Sequence, residues 1–126
     1  MTAKDDFLFW FFKSRSTAYI NQSQSSSEKI RYYYEGEYDA FEKILKRLDT
    51  VYHFFNVKKN VITAPEVRGI RSWLHIQIME KEKFIRYQHK QQKLLKIPTS
   101  ESLDFYYGQH EAFVAVYERL TKLWVI

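Results

Sequence analysis

Between Ile30 and Phe55 apolar residues recur at Tyr34, Tyr38, Phe41, Leu45, Leu48, Tyr52 and Phe55. The 4-3-4-3-4-3 spacing is one stripe down an α-helix. Asp39, Glu42, Lys43, Lys46, Arg47, Asp49 and His53 occupy the other side. A second stripe, Leu103, Tyr106, His110, Phe113, Tyr117, Leu120 and Trp124, predicts a helix at the C-terminal end. A third helix is expected from Thr63 to about Lys96, with Val67, Ile70, Leu74, Ile85 and Leu95 on its core side and Trp73 and Phe84 at the margin. Near the N-terminus, Phe7 to Phe12 is apolar without a break, which on a helix means apolar all round, so the run should plug the interior. An exposed anchor for a partner or a membrane surface is its other use. The run is far short of the roughly 20 residues that cross a bilayer. Asp5 and Asp6 before it do not suit a signal peptide.

Punctuation between the helices is legible too. Asn21 to Ser27 is a polar connection, and Ser25 with Glu28 has capping-box spacing for the second helix. The loop from Val57 to Thr63 has room for a short extended piece at Val61–Ile62. Thr63 with Glu66 is a second capping box, with Pro65 in the first turn, where its missing N–H does no harm. Pro98 closes the third helix region, and Ser100 or a neighbour starts the last helix. The expectation is one all-α domain, residues 1–126, a bundle of about four helices.

The second and last helices read as two copies of one phrase. At an offset of 72 residues (Gly36 to Gly108), Tyr34 matches Tyr106, Ala40 matches Ala112, Phe41 matches Phe113, Arg47 matches Arg119 and Leu48 matches Leu120. The match runs over 33–52 and 105–124. Two copies are too few for a solenoid and suggest a pair of helical hairpins related by a pseudo-two-fold. Glycine within a helix costs about 1 kcal/mol relative to alanine. Gly36 and Gly108, each four residues before an alanine, therefore point to a close helix crossing, with a helix start or kink as the alternative.

Charge changes the picture in one place. The chain carries a net +5, and residues 81–96 hold Lys81, Lys83, Arg86, Lys90, Lys93 and Lys96 against Glu82 alone, so the whole excess lies there. Lys83, Arg86, Lys90 and Lys93 are spaced 3-4-3, a continuous line of about 15 Å on the side opposite the core, and Arg68 shares their azimuth. Met79 lies among them, while Ile76, Tyr87 and Leu94 run along one edge. A solvated face that complements the helix dipole explains the lysines. So does a binding face, in which Arg68, Ile76, Met79, Lys83, Arg86, Tyr87, Lys90 and Lys93 contact a partner. An acidic protein surface suits the mixture of charge and apolar area; nucleic acid suits the line itself, with Tyr87 free to stack on a base.

Other chemistry finds less support. There is no cysteine, hence no disulfide or thiolate, which is compatible with a cytoplasmic location. The four histidines, His53, His75, His89 and His110, contain no i,i+3 or i,i+4 pair, so no metal is expected. His110 lies within an apolar stripe and reads as a hydrogen-bonded core residue. The three glycines never cluster into a phosphate loop, and no G-x-S-x-G elbow is present. No cofactor is expected and no catalytic residue is named; an enzyme with a site assembled between helices is the remaining alternative. Tyr32–Tyr34 and Phe105–Tyr107 cannot all face one core, which leaves rings for a self-association surface and thus a homodimer. Glycine followed by [DE]-A-F-x-x-[IV], at Asp39-Ala40-Phe41 and Glu111-Ala112-Phe113, resembles short helical proteins of phage and plasmid genomes. The resemblance is one of texture and assigns no residue a role. It implies a mobile-element origin. These observations lead to a small non-enzymatic binding or regulatory protein, of inhibitor or adaptor type, that works through the outer face of its third helix.

Overall fold

The computed structural model describes residues 2–95 and 101–125; the readings of Lys96, Pro98 and Ser100, and of the Leu95 side chain, lie outside it. Four helices pack against one another: α1 (Ala3–Gln24), α2 (Glu28–Tyr52), α3 (Ala64–Leu95) and α4 (Glu101–Leu123). No strand occurs among the described residues. Val61–Ile62 is loop, and the Ile62 side chain is buried in the core.

Each helix start has a local cause. Thr2 caps α1, accepting from the Asp5 amide at 3.1 Å while the Asp5 carboxylate reaches back to the Thr2 amide. The expected box at α3 is present: the Thr63 amide donates to Glu66 at 3.0 Å and the Glu66 amide to Thr63 Oγ1 at 3.3 Å. The box expected at Ser25 is not. Ser27 is the cap residue of α2 and makes no side-chain bond, whereas the Ser25 hydroxyl donates back to the Asn21 carbonyl at the end of α1. A carbonyl left without an intrahelical donor at a helix end competes for that hydroxyl, and here it wins.

The stripe of α2 was expected to run on to Phe55, but the helix stops at Tyr52. His53 takes the left-handed conformation (φ 51°), and the Phe54 amide bonds to the Leu48 carbonyl at 3.1 Å. That turn sends Phe54, not Phe55, into the core, with ring centroids 5.4 Å from Phe7 and 6.3 Å from Trp124. Two lysines pin the following loop. Buried Lys4 donates to the carbonyls of Asn56 (3.1 Å) and Lys59, and Lys59 donates to the Tyr52 carbonyl (2.8 Å) while pairing with Glu66.

The buried face of α2 is Gly36, Ala40, Phe41, Ile44 and Leu48. Moved by 72 residues it becomes Gly108, Ala112, Phe113, Val116 and Leu120, all buried on α4. The expected aromatic stripe is therefore rotated from the deepest face in both copies. Tyr34, Tyr38, Tyr106, His110 and Tyr117 are only half-buried. Four of the five lie in the seams between each helix and its hairpin partner: Tyr38 against Tyr19 and Arg15 of α1, and Tyr106 against Phe84, His110 against Glu82 and Tyr117 against Arg71 of α3. Small residues go where two backbones come closest, and large rings go where there is width to fill.

The closest approach is that of α2 to α4, which also form the largest contact in the bundle. A Cβ on Gly36 would stand 1.9 Å from the Phe105 carbonyl oxygen, and one on Gly108 would stand 1.8 Å from that of Tyr33. Tyr33 and Phe105 are themselves 72 residues apart, so the crossing is reciprocal. α1 packs on α2 and α3 on α4. The outer helices obey the same relation: Arg47 lies over Trp73 and Arg119 over Trp10, both at 5.5 Å. Two hairpins are thus related by an approximate two-fold through the glycines. Phe7 and Phe11 fill the positions of Ile70 and Leu74, all four fully buried. The run Phe7–Phe12 plugs the core on one side only, since Phe9 points outward with 69% of its surface exposed. Among the described residues no helix is long and apolar enough to cross a membrane.

The three glycines should respond differently to alanine. Gly36→Ala and Gly108→Ala drive a methyl into a main-chain carbonyl and should each destabilise by about 3 kcal/mol or more. At Gly69 the new methyl meets only the Tyr52 hydroxyl tip, 2.8 Å away. The ~1 kcal/mol helix preference for alanine should leave Gly69→Ala neutral or slightly stabilised. Urea unfolding of the three variants checks the order.

Candidate binding face on α3

Helical periodicity puts Val67, Ile70, Leu74, Ile78 and Ile85 of α3 in the interior. Ile78 was not singled out in the sequence, although it follows Leu74 by four residues and precedes Ile85 by seven. The opposite side holds Arg68, Lys83, Arg86, Lys90 and Lys93, all exposed. Among the described residues none of these five joins an ion pair. Ile76, Met79, Tyr87 and Leu94 stand beside them, exposed by between 48% and 66%. All eight residues expected to form the face therefore lie on it. Glu82 is turned away, bound to His110 of α4 at 3.1 Å, so His110 is a half-buried, hydrogen-bonded residue of the seam. Lys81 leaves the basic group as well: its ammonium lies 5.5 Å from the Tyr106 ring, and burial, followed by the nearby Lys43 charge, lowers its pKa.

One end of this face is concave. Arg68, Arg71, Ser72, His75 and Ile76 of α3, with Tyr117 of α4, line an open groove of about 560 Å³. The Arg71 guanidinium lies 5.6 Å from the Tyr117 ring centre, and the His75 ring lies 6.4 Å from it. Arg68 and Ile76 were expected on the binding face. Arg71, Ser72 and His75 were not, and their spacing carries no signal until Tyr117 closes the groove from another helix.

A second pocket, of about 410 Å³, opens between α1, α2 and α4 and contains Glu37 and Glu111. The two-fold explains its chemistry. On the equivalent side of the crossing the buried Gln109 amide donates to Asp39 at 2.6 Å. At an offset of 72 residues, Glu37 stands in the place of Gln109 and Glu111 in that of Asp39, so a hydrogen bond is replaced by two facing carboxylates. Burial, and then the Glu111 charge, raise the pKa of Glu37, while a hydrogen bond from Tyr33 works the other way. The Tyr33 hydroxyl is pushed well above its ordinary range by burial and by both glutamates. The groove that holds His75 has no carboxylate in its lining, and the pocket that holds the glutamates has no histidine.

Comparison with protein-family models, with curated proteins and with solved structures gives no match.

Because the folded-state pKa of Glu37 lies above its unfolded value, its ionisation opposes folding. The penalty is complete above the folded-state pKa, and it fades as pH falls towards the ordinary carboxyl value of 4.5. Glu37→Gln reproduces the Gln109–Asp39 arrangement and should raise stability by about 1 kcal/mol at pH 7. That gain should vanish below about pH 4.5. Thermal unfolding of both proteins across pH 4–8 checks the sign.

Proposed function

We propose that the protein is a small helical binding module, an inhibitor or adaptor, that docks on an acidic protein surface through the outer face of α3. One observation carries this reading: five cations that join no ion pair among the described residues share one side of one helix with four exposed apolar side chains. Lysine and arginine steer an acidic partner and set its register, but they add little net affinity while they remain hydrated. Ile76, Met79, Tyr87 and Leu94 supply the area whose burial drives association, at about 25 cal/mol per Å² before the costs of ordering. The same mixture distinguishes this reading from nucleic-acid binding, where charge alone tracks a phosphate backbone. The second reading is nonetheless favoured by the 3-4-3 line of Lys83, Arg86, Lys90 and Lys93 with Tyr87 beside it. A cytoplasmic location and a mobile-element origin go with the first reading.

Capture from a lysate of the source organism, one half nuclease-treated and the other not, with Lys83→Glu/Lys90→Glu as control, separates the two. The expected result is a protein of acidic surface retained at moderate salt by the wild type. The charge-reversed variant, folded as judged by circular dichroism, should bind it at least 10-fold more weakly. Retention of nucleic acid alone, with an affinity that falls steeply with salt and falls again in the variant, would establish the second reading instead.

A further inference from the structure

The groove at the N-terminal part of α3 differs in chemistry from the lysine line further along the helix. Arg68, Arg71, Ser72, His75 and Ile76 follow the i, i+3, i+4, i+7, i+8 pattern, so all five side chains emerge on one side of α3. Tyr117 forms the opposite wall. Two guanidinium groups, an imidazole and a hydroxyl therefore line one concavity that contains no acidic side chain. The Arg71 fork is already held against the Tyr117 ring, 5.6 Å from its centre, and so loses less freedom on binding than an unsupported arginine.

We infer that this groove is a binding site for a phosphate monoester, carried as a phosphorylated side chain by the protein partner that docks along α3. The count of donors decides among anions. A carboxylate offers two oxygens and a phosphodiester two unesterified ones, whereas a monoester presents three and carries close to two negative charges at neutral pH. Arg68, Arg71 and His75, with the Ser72 hydroxyl, match three oxygens, and arginine binds such a group by paired N–H···O bonds. The groove's volume of about 560 Å³ exceeds the need of phosphate alone and leaves room for the group that bears it, with the Tyr117 ring and Ile76 as apolar walls. Ile76 also belongs to the exposed face of α3, so an occupant of the groove continues directly onto that face. The phosphate specificity stands on the groove alone; only the source of the phosphate, a protein side chain, rests on the docking role proposed for α3.

Titration of the ¹⁵N-labelled full chain at fixed ionic strength with phenyl phosphate, benzoate and diphenyl phosphate tests the specificity. Saturable amide shifts confined to residues 68–76 and the neighbourhood of Tyr117 are expected. Phenyl phosphate should bind at least 5-fold more tightly than either comparison anion. Arg68→Gln and Arg68→Gln/Arg71→Gln should weaken it at least 3-fold and 10-fold with the remaining spectrum unchanged, and Arg71→Lys should restore only part of the loss. Lys83→Glu/Lys90→Glu should change it less than 2-fold, which keeps failure of the groove distinct from failure of the docking face. Shifts spread along the Lys83–Lys93 line, or equal binding of the three anions, would overturn the site. A phosphotyrosine peptide with acidic flanks should bind more tightly than a nucleoside 5′-monophosphate; the reverse order would overturn the protein source while leaving the phosphate site.

Discussion

Everything in this bundle depends on how near the backbones of α2 and α4 come to each other at Gly36 and Gly108. A side chain at either position would start less than 2 Å from a carbonyl oxygen of the facing helix. Only glycine permits the separation, and that separation lets Ala40 and Ala112 seat against the opposite helix and Phe41 and Phe113 reach the interior. Close-packed interiors transmit such a displacement rather than absorb it. Because the two contacts are reciprocal, widening one opens the other, and the outer helices α1 and α3 then lose the floor on which they rest.

Three of the four helices were legible from periodicity and the first from an unbroken apolar run, and the offset between α2 and α4 was legible as well. The azimuth of the core was less so. Tyrosines at regular spacing mark a broad apolar sector, but periodicity does not say which edge of that sector meets the nearest neighbour. The small residues Gly36, Ala40, Gly108 and Ala112 held that information, because they alone tolerate the shortest interhelical distance. The kinship of α1 with α3 went unseen for another reason. It runs at an offset of 63 residues (Trp10 to Trp73), and of the three pairs Phe7/Ile70, Trp10/Trp73 and Phe11/Leu74 only the tryptophan is identical. Lys4 was missed because a lysine ordinarily reads as solvated, and its burial depends on main-chain carbonyls 52 and 55 residues away.

On the candidate face the azimuths of the charged residues followed from 100° per residue, which is why all eight expected side chains are found together on α3. Concavity is a different kind of property. The groove at Arg71 and His75 exists because α4 delivers Tyr117 alongside α3, a tertiary fact with no trace in local spacing. The facing carboxylates of Glu37 and Glu111 are similar: each is unexceptional on its own helix, and their proximity comes from the crossing.

The two hairpins are unequal in one respect. Under the relation that pairs Trp10 with Trp73, the last residue of α1, Gln24, corresponds to Tyr87, so α3 from Gln88 to Leu95 has no counterpart in the other half. Lys90, Lys93 and Leu94 all fall in that surplus stretch. The scaffold is nearly balanced about its dyad while its electrostatics are not: the molecule has a positive pole where one arm outgrows the other. An approaching polyanion is therefore turned toward a single end before any contact forms, and the two otherwise matching sides of the bundle are not interchangeable to it.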